Sequence, residues 1–445
     1  MTGSWIVVGA GSAGCVVAAR LSEHPDRRVT LLEAGPDLRH DDVSDALDGP
    51  DAFAAAAVSG RTWPDLQATR GEGRPPNPYL RGRGLGGSSM VNAMLALRGD
   101  PAQYRRWGWT GVEEAWQRMD IPEQVPGPDE YGPLDRALLR AAPDARPVPL
   151  TRRAGRRVGS AEAYLWPARD RPNLTVRPEA LVDRILFDGR SATGVRLADG
   201  EEIAAVRVVS CAGGIHSPAL LLRSGVTVPG VGEGLQDHPS AALTLRYRRG
   251  AQPATAGLVT TTMLERDGVQ ILPVNHLPGG DTSHGLLLVA LMQPVGRSGA
   301  VRLRSDDPTV DPAVDLGLLA ERADLERLRS GIRLALGLVE LPPFADVVDE
   351  VLIDDAGTTP DAWSDDRDLD RWMLDATGGY VHAASTCAMG AVVDDRGRVY
   401  GHEQLYVCDA SVFPGVPHTN PHLPTTMLAE RLVSMWIAAD SGRSP

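Results

Sequence analysis

The chain has 445 residues, of which 42% are hydrophobic and 23% are charged. This length predicts two domains, and this composition excludes a wholly disordered chain. The formal net charge of −13 argues against nucleic acid and against an anionic membrane surface as partners.

The sequence also lacks the signals of membrane insertion and export. No apolar run approaches the ~20 residues that a membrane-spanning helix needs. The N-terminus has no basic segment before its apolar stretch, so we predict no signal peptide. The four cysteines have no CxxC spacing, which favours small buried thiols in a reducing compartment. We therefore expect a cytoplasmic location.

The N-terminal segment has the pattern of a dinucleotide-binding unit. Residues 5–8 predict a buried parallel strand, glycines follow at positions 9, 11 and 14, and residues 15–23 predict a helix. In such a loop the three glycines permit a tight turn, close approach of a pyrophosphate and close packing of helix on strand. The helix N-terminus directs free N–H groups at the phosphates. Cofactor contacts are therefore predicted for Gly9, Gly11, Ser12, Ala13 and Gly14.

An acidic residue completes this unit. Residues 29–32 predict a second strand, which ends at Glu33. The acid follows the glycines at about the 20-residue spacing of a group that bonds a dinucleotide's ribose hydroxyl. We therefore predict that Glu33 and its neighbour Ala34 contact the adenosine part of the cofactor.

Three further segments can reach the same ligand. Residues 82–92 are rich in glycine and can bring backbone N–H groups against a ring or a phosphate, although such a loop can also be a flexible connector. Residues 206–214 predict a strand that ends in glycines, and residues 405–408 predict a strand that ends at Asp409. The Asp409 carboxylate can reach the ribityl or phosphate region of a cofactor. Segments spread over the whole chain suit an extended FAD better than NAD, which the first unit would mostly hold.

The C-terminal region contains a candidate base and a candidate hydrogen-bond donor. His382 lies in a predicted tight loop, and a histidine of near-neutral pKa is the usual base for an alcohol proton. The amide of Asn420 can hold the hydroxyl toward that base. The alternative is that His382 is an ordinary structural histidine, which is the commoner role of a single histidine.

Three other histidines carry weaker patterns. His418 and His422 flank Asn420, but prolines at 417, 421 and 424 prevent the helical i, i+4 pair that a metal site of this spacing would need. We predict no metal site. His422 is predicted to line the flavin edge or the substrate entrance, and His238 is predicted to be structural.

Several of these segments resemble the glucose–methanol–choline (GMC) oxidoreductase family, over nearly the full length of the chain. Residues 82–99 and 213–227 are similar to the two family signatures, and residues 231–239 are similar to its connection between domains. His382 and Asn420 fall on the family's catalytic pair. The resemblance implies an α/β FAD-binding Rossmann-like domain plus an α+β substrate domain with an antiparallel sheet.

The domain order that the resemblance implies is discontinuous. The FAD-binding domain is assigned to residues 1–40, 78–98, 157–235 and 382–445. Lid or cap excursions, the second of poor regularity, are assigned to residues 41–77 and 99–156. The substrate domain is assigned to residues 236–381. Within it, residues 243–247 and 285–292 predict antiparallel strands, and residues 323–340 predict an amphipathic helix.

The resemblance also implies which residues contact FAD. Beyond the N-terminal unit the implied contacts are Arg83, Gly86, Gly87, Ser88, Asn92, Met94, Leu95, Val182, Ala212, Asp409, Ala410, Pro421 and His422. Val91 occupies the position where some members carry a histidine bonded covalently to FAD, so non-covalent FAD is expected. The chain departs from the family signatures at Arg105, Gly214 and Thr227.

The implied reaction is oxidation of an alcohol to an aldehyde or ketone, with hydride transfer to the flavin N5 atom. In that reaction His382 is the base and Asn420 orients the hydroxyl. The alcohol stays open, as does the external electron acceptor, which can be O₂, a quinone, another redox cofactor or a protein. One alternative is a redox-silent lyase of the same fold, such as a hydroxynitrile lyase, which uses FAD structurally; the other is an inactive flavin-binding protein. The short chain resembles actinobacterial members associated with the peptide-derived redox cofactor mycofactocin.

Overall fold

The structure is a computed structural model that describes residues 3–38, 46–71, 73–440 and 442. Its strands, in chain order, are β1 Ser4–Val8, β2 Arg28–Leu32, β3 Gln67–Thr69, β4 Asn77–Pro78, β5 Arg146–Pro147, β6 Arg152–Arg153, β7 Arg156–Arg157, β8 Leu174–Arg177, β9 Val182–Asp188, β10 Ser191–Leu197, β11 Glu202–Ala204, β12 Arg207–Ser210, β13 Glu233–Leu235, β14 Pro239–Tyr247, β15 Thr262–Arg266, β16 Val269–Val274, β17 His284–Leu291, β18 Gly299–Arg302, β19 Ala313–Asp315, β20 Val348–Leu352, β21 Gly378–Gly379 and β22 Leu405–Val407.

Its α-helices are α1 Ser12–Leu21, α2 Ala52–Ala57, α3 Pro101–Arg106, α4 Val112–Arg118, α5 Pro133–Ala141, α6 Trp166–Ala168, α7 Gly213–Arg223, α8 Arg322–Val339, α9 Pro342–Ala345, α10 Asp366–Ala376 and α11 His422–Asp440. Short 3₁₀ turns occur at Gly87–Met90, Pro128–Glu130, Pro278–Gly280, Pro360–Ala362 and Ala410–Val412, and one π turn occurs at Ala161–Leu165.

A parallel sheet organises the part of the chain predicted to bind the dinucleotide. Its strand order is β22-β12-β1-β2-β8, and every pairing in it is parallel. β1 lies in the middle, and Ile6 and Val7 are buried there on opposite faces. Burial on both faces explains why this strand is an unbroken apolar run rather than an alternating one.

A second sheet is antiparallel and lies in the predicted substrate region. Its order is β20-β14-β17-β16-β15-β5, and β21 pairs with the beginning of β14. Leu243, Leu245, Leu287 and Val289 are fully buried in the core cluster that also contains the apolar face of α8. Alternate residues of the same strands point to the opposite face. The predicted fold class, a Rossmann-like α/β domain plus a domain with an antiparallel sheet, is confirmed.

A third sheet joins distant segments of the chain. Its order is β13-β18-β19-β3-β4, and β3 pairs in parallel with β19. Residues 41–77, predicted as an excursion, therefore contribute strands to a sheet that they share with residues 299–315. A smaller antiparallel sheet of β9, β10 and β11 contacts α7.

Some sequence-based element predictions need correction. The first helix begins at Ser12 and ends at Leu21, rather than spanning residues 15–23, because Gly11 already occupies the N-cap position. The predicted strand at 206–214 is extended only over Arg207–Ser210, after which α7 begins at Gly213. Residues 99–156 are more regular than predicted, since they contain α3, α4 and α5. The predicted boundary between residues 40 and 41 lies outside the described residues.

The C-terminal helix α11 is a core element. Its residues 422–433 are all buried, and it packs against α1 and α4. This stretch is not apolar on every side: Glu430 accepts from Arg20 at 2.8 Å, and Arg431 donates to the Thr110 carbonyl at 2.7 Å. Within the described ranges, no helix is both long enough and apolar enough to cross a membrane.

Candidate active site

A cavity of about 510 Å³ lies where the parallel sheet meets the antiparallel one. Its wall includes the residues that end β1 and β2 and those that follow β12 and β22, which is the edge where parallel sheets bind ligands. The sequence-predicted site residues on this wall are Gly9, Gly11, Ser12, Ala13, Glu33, Ala34, Gly87, Ser88, Asn92, Leu95, Val182, Ala212, His382, Asp409, Ala410, Asn420, Pro421 and His422.

Four of the predicted site residues do not line this cavity: Gly14, Arg83, Gly86 and Met94. Gly14 packs α1 against the first loop, because a Cβ there would lie 1.8 Å from the Gly9 carbonyl oxygen. Gly86 donates its N–H to the Ala10 carbonyl at 2.8 Å. These two residues therefore shape the wall from behind it.

Arg83 and Met94 also support the wall indirectly. Arg83 donates to the Ala34 carbonyl at 2.8 Å and lies over the ring of Trp63. Met94 is buried in a small apolar cluster with Leu95. Its N–H bonds the side chain of Asn92 at 3.0 Å, which holds that predicted contact residue in place.

Glu33 connects the two glycine-rich segments. One carboxylate oxygen accepts the Ala10 N–H at 2.8 Å, and the other accepts the N–H groups of Gly35 and Gly84, each at 2.9 Å. The side chain is buried and still lines the cavity. Glu33, which was predicted to bond the ribose, thus links the loop at Ala10 to the loop at Gly84.

Asp409 has a similar position at the end of β22. Its carboxylate accepts the Gly213 N–H at 2.8 Å, the Ser217 hydroxyl at 2.5 Å and the Ser411 N–H at 2.8 Å. Burial raises the pKa of this carboxyl, while these hydrogen bonds favour its charged form. The predicted contact therefore also organises the start of α7.

The cavity wall fits a dinucleotide cofactor. A Cβ on Gly11 would meet nothing within 4 Å, so a ligand can approach that backbone closely. The N-terminus of α1 has no side-chain cap, which leaves its N–H groups for phosphate oxygens. His422 is buried at the same wall, with Nδ1 3.2 Å from the Ser12 hydroxyl and with Nε2 lacking a protein partner. A long ligand with phosphate and polar ring atoms would satisfy all of these groups.

A pair of histidines forms a hydrogen-bonded unit at the cavity wall. The Nδ1 atoms of His238 and His382 lie 2.8 Å apart, and Nε2 of His238 lies 2.9 Å from the Pro417 carbonyl oxygen. His238 is fully buried, whereas His382 is half-buried on the cavity wall. His238 therefore stands directly behind the predicted base.

The backbone around these histidines is fixed by Asp237. Its Oδ1 accepts the N–H groups of His238 at 2.7 Å and of His382 at 2.9 Å, and its Oδ2 accepts the Tyr79 hydroxyl at 2.6 Å. Asp237, His238 and His382 place ligand-type atoms within 4.8 Å of one another. These atoms already bond N–H and O–H groups or each other, so we interpret the cluster as a hydrogen-bond network.

Burial lowers the pKa of the histidines at this site. The pKa of His382 is well below 6.5, because its ring is desolvated and because His238 and Arg81 lie nearby. Burial lowers the pKa of His238 to about 3 and that of His422 to about 4. All three imidazoles are therefore neutral at pH 7.

Asn420 lies on the same wall and is held by the antiparallel sheet. Its Oδ1 accepts from the Gln270 side chain at 3.3 Å, and the Gln270 Oε1 accepts the Tyr380 hydroxyl at 3.2 Å. The Tyr380 ring lies 4.5 Å from the His382 ring, centroid to centroid. These contacts bring the predicted base and the predicted amide to one end of the cavity.

Sequence reasoning missed His238 as a partner of His382, and it missed Gln270 and Tyr380. His238 was predicted to be structural; it is buried, but it also contacts the predicted base. The sequence contains only weak indications that these three residues contact the predicted base or amide. Tyr380 lies two positions before His382, and Gln270 is a polar residue within the apolar strand β16.

The structure agrees with the prediction that His418 and His422 do not form a helical i, i+4 pair. The two residues do not share a helix, because α11 begins at His422. Pro424 falls within the first turn of that helix, where a missing N–H removes no hydrogen bond.

Two family models match the chain, and both are described as GMC oxidoreductase. The N-terminal model matches residues 4–145 and 147–240, and the C-terminal model matches residues 294–429. Together they match parts of both predicted domains and leave residues 241–293 of the predicted substrate domain unmatched.

Curated relatives are similar over almost the whole chain. The oxygen-dependent choline dehydrogenase of Burkholderia ambifaria is 31% identical over 96% of this chain and 92% of the relative. The oxygen-dependent choline dehydrogenase 1 of Chromohalobacter salexigens is 31% identical over 96% of this chain and 93% of the relative.

Solved structures share the fold. Pyridoxine 4-oxidase from Mesorbium loti superimposes with a TM-score of 0.88 at 25% identity, covering 98% of this chain and 99% of that one. Formate oxidase from Aspergillus oryzae gives a TM-score of 0.86 at 22% identity, with 98% of each chain covered. At the latter identity the likeness concerns the fold alone.

Proposed function

The chain belongs to the GMC oxidoreductase family and is an FAD-dependent oxidoreductase, and on this premise we propose that it oxidises an alcohol to an aldehyde or ketone. In this proposal His382 is the base and Asn420 orients the hydroxyl. The observation that carries it is the hydrogen-bond chain from Pro417 through His238 to His382, which leads to the cavity wall.

The hydrogen bonds assign the protons of the two imidazoles. A carbonyl oxygen only accepts, so Nε2 of His238 donates its N–H to Pro417. A neutral imidazole has one N–H, so Nδ1 of His238 carries a lone pair and accepts from Nδ1–H of His382. The remaining nitrogen of His382, Nε2, then carries a lone pair that can take the hydroxyl proton of an alcohol.

The same contact stabilises the product of that proton transfer. Once His382 is protonated, its Nδ1–H bond to His238 becomes charge-assisted, and such bonds are shorter and stronger than neutral ones. His238 stays neutral because burial holds its pKa at about 3. His238 is therefore a positioning residue that acts through His382.

Asn420 supplies the second contact in the proposal. The bond that its Oδ1 accepts from Gln270 orients the amide, so that Nδ2 is the atom available to donate to the alcohol oxygen. A hydroxyl held in this way has its proton directed at His382. FAD, when bound, supplies the acceptor for the hydride that leaves the hydroxyl-bearing carbon as the carbonyl forms.

We further propose that FAD is held without a covalent bond by those predicted contact residues that line the cavity. Val91 lies on the cavity wall, and an aliphatic side chain has no atom that could bond the flavin. The discontinuous domain division is part of the same proposal. It is supported by the parallel sheet, in which β1, β2, β8, β12 and β22 come from three of the four segments assigned to FAD binding.

The relatives' names agree with this class of reaction. They are a choline dehydrogenase and a pyridoxine 4-oxidase, each named for oxidising its own substrate. A redox-silent lyase is not favoured by any of them. The physiological acceptor of the electrons is left to experiment.

Anaerobic reduction tests the proposal. The purified protein, carrying its flavin, is mixed without oxygen with a panel of alcohols, and the oxidised flavin band is followed by stopped flow. We expect at least one alcohol to bleach the band and the matching carbonyl compound to form. Air or a dye is then added, and the acceptor that restores the oxidised flavin band is identified as one that takes the electrons. Cleavage of a cyanohydrin without any bleaching by alcohols would instead support the lyase.

A further inference from the structure

The face that the antiparallel sheet turns toward the cavity is aliphatic. Leu272 and Val274 of β16 pair with Leu288 and Leu286 of β17, and all four line the cavity. Leu286 and Leu288 are half-buried, whereas Leu287 between them is fully buried in the core behind the sheet. Their remaining exposure is therefore toward the cavity. We define these four residues as the aliphatic row.

The opposite side of this part of the cavity is also apolar. Ala52, Phe53 and Ala56 of α2 line it, together with Val259. Ala52, Val259 and Val274 form one buried cluster, against which Phe53 and Leu286 pack. A group that enters this space is therefore surrounded by hydrocarbon on two sides.

The row has a polar end beside the proposed base. Gln270, on the same face of β16, bonds Asn420 and Tyr380. Leu272 and Val274 follow at intervals of two residues, so Val274 lies roughly 13 Å from Gln270 along the strand. A molecule with its hydroxyl at Asn420 can extend its body along the aliphatic row.

Charged side chains reach the cavity from other elements: Glu33, Arg81, Arg223, Asp311 and Asp409. Glu33 and Asp409 accept backbone N–H groups of the glycine-rich loops. Arg81 donates to the Val381 carbonyl and Arg223 to the Asp183 carbonyl. Asp311 lies 3.5 Å from the His216 imidazole. Among the residues that the structure describes, none of these charges belongs to β16, β17 or α2.

The aromatic rings are not placed to hold a cation either. A quaternary ammonium needs several aromatic faces, or a carboxylate, around one point. Tyr380 bonds Gln270 at one end of the row, whereas Phe53 packs with Val274 at the other end. Trp63 also lines the cavity, but it packs in a different apolar cluster from the row. A cation in the row would lose its water without a compensating partner.

We propose that the substrate is an uncharged alcohol with an apolar body, and that choline and other cationic alcohols are poor substrates. This inference rests on the proposed function, because it assumes that the hydroxyl lies at His382 and Asn420. The substrate proposed for this chain therefore differs in charge from choline, which appears in the names of its curated relatives of the same family.

A pair of alcohols that differ only in charge gives the direct test. Choline and 3,3-dimethyl-1-butanol have the same shape, but the quaternary nitrogen of the first is a carbon in the second. We expect kcat/KM for turnover with a dye acceptor to be at least roughly tenfold higher with the neutral alcohol. Along unbranched primary alcohols it should rise roughly fourfold per added CH₂, until the row is filled. Equal or better reduction by choline would overturn the inference while leaving alcohol oxidation intact.

A binding measurement tests the charge preference even if no alcohol reduces the flavin. Both compounds are titrated into the oxidised holoenzyme, and the shift of the flavin spectrum is followed. If no alcohol bleaches the flavin, the proposed function fails. The preference of the aliphatic row for an uncharged ligand then stands only if the neutral compound binds at lower concentration than choline, and tighter binding of choline overturns it.

Two variants place a polar group in the row. Leu286→Asp supplies a carboxylate for a cation at a half-buried position. The kcat/KM for choline, divided by the kcat/KM for 3,3-dimethyl-1-butanol, should then rise at least roughly tenfold. Val274→Thr keeps the side-chain shape, should fold if the aspartate variant does not, and should raise KM for the neutral alcohol. Val125→Asp, at a residue that is 56% exposed and does not line the cavity, is the matched control and should leave the ratio unchanged. An unchanged ratio or KM in both row variants would place the substrate body elsewhere.

Discussion

His238 and His382 stand 144 positions apart in the chain, yet their Nδ1 atoms lie 2.8 Å apart. His238 immediately precedes β14 of the antiparallel sheet, and His382 follows β21, the short strand that pairs with β14. The same strand pairing that builds the sheet therefore sets the distance between the two rings. The fold of the substrate region thus decides which ring nitrogen of His382 carries the proton.

The first prediction concerns His238. His238→Ala removes the acceptor of the His382 Nδ1–H, and the rate of flavin reduction should fall roughly 10- to 100-fold, the effect of one hydrogen bond to a charged group. His238→Asn keeps an acceptor oxygen near the Nδ1 position and should recover part of this loss. Both variants should retain FAD. Equal rates in the two variants would mean that His238 has only a packing role.

The second prediction compares the two proposed catalytic groups. His382→Ala should lower the rate of flavin reduction by roughly 10²–10⁴-fold, the usual contribution of a positioned base. Its residual rate should rise with pH, as the alcohol ionises unaided. Asn420→Ala should cost less, because it leaves the proton acceptor in place. The measurement is stopped flow without oxygen. A wild-type rate in His382→Ala would refute the mechanism and direct attention to His418 or His422.

The third prediction concerns pH. Only neutral His382 accepts a proton, and desolvation, His238 and Arg81 hold its pKa well below 6.5. As pH falls, protonation should therefore stop flavin reduction only below the pH at which an ordinary histidine titrates. Arg81→Gln removes a positive charge but keeps a donor for Val381, so the acid limb should move to higher pH. Rates between pH 4.5 and 8 decide this, and an acid limb that Arg81→Gln leaves in place would contradict it.

The fourth prediction concerns the attachment of FAD. Because Val91 offers no bonding atom, acid precipitation should release intact FAD into the supernatant, where its spectrum and mass identify it. Val91→His is the matched variant, since it introduces the residue that some members of the family bond covalently to the cofactor. Flavin that stays in the wild-type pellet, or NAD in place of FAD, would contradict the prediction.

The fifth prediction concerns Glu33. Glu33→Ala removes a charged acceptor and should weaken FAD binding by about 1.5–3 kcal/mol. The same carboxylate also bonds the N–H groups of Ala10, Gly35 and Gly84, so the FAD-free variant should unfold at a lower temperature than FAD-free wild type. Thermal unfolding with and without added FAD separates the two effects. Wild-type affinity in this variant would show that another group bonds the ribose.

Local sequence patterns are sufficient for the dinucleotide-binding unit. The glycine at 14 is required because any side chain there would collide with the Gly9 carbonyl, and that contact arises between residues five positions apart. The acid at 33 follows one strand, one helix and a second strand of ordinary length. Contacts made within such a short βαβ unit depend on residue spacing, which the sequence displays directly. Four of the five strands in the parallel sheet, β1, β2, β12 and β22, were predicted, because buried parallel strands are largely apolar runs.

Contacts between distant segments are decided by the tertiary structure. The alternation of β16 and β17 predicts two faces, but it does not say which face meets the core and which meets the cavity, because both faces are apolar here. Likewise His238 has no local pattern that distinguishes a packed histidine from a partner of His382. The sequence by itself determined the family, the fold class and a candidate base. Only the pairing of β14 with its neighbours brought His238 behind that base and turned the aliphatic row toward the cavity, because such proximity depends on the register of the strands and not on distance along the chain.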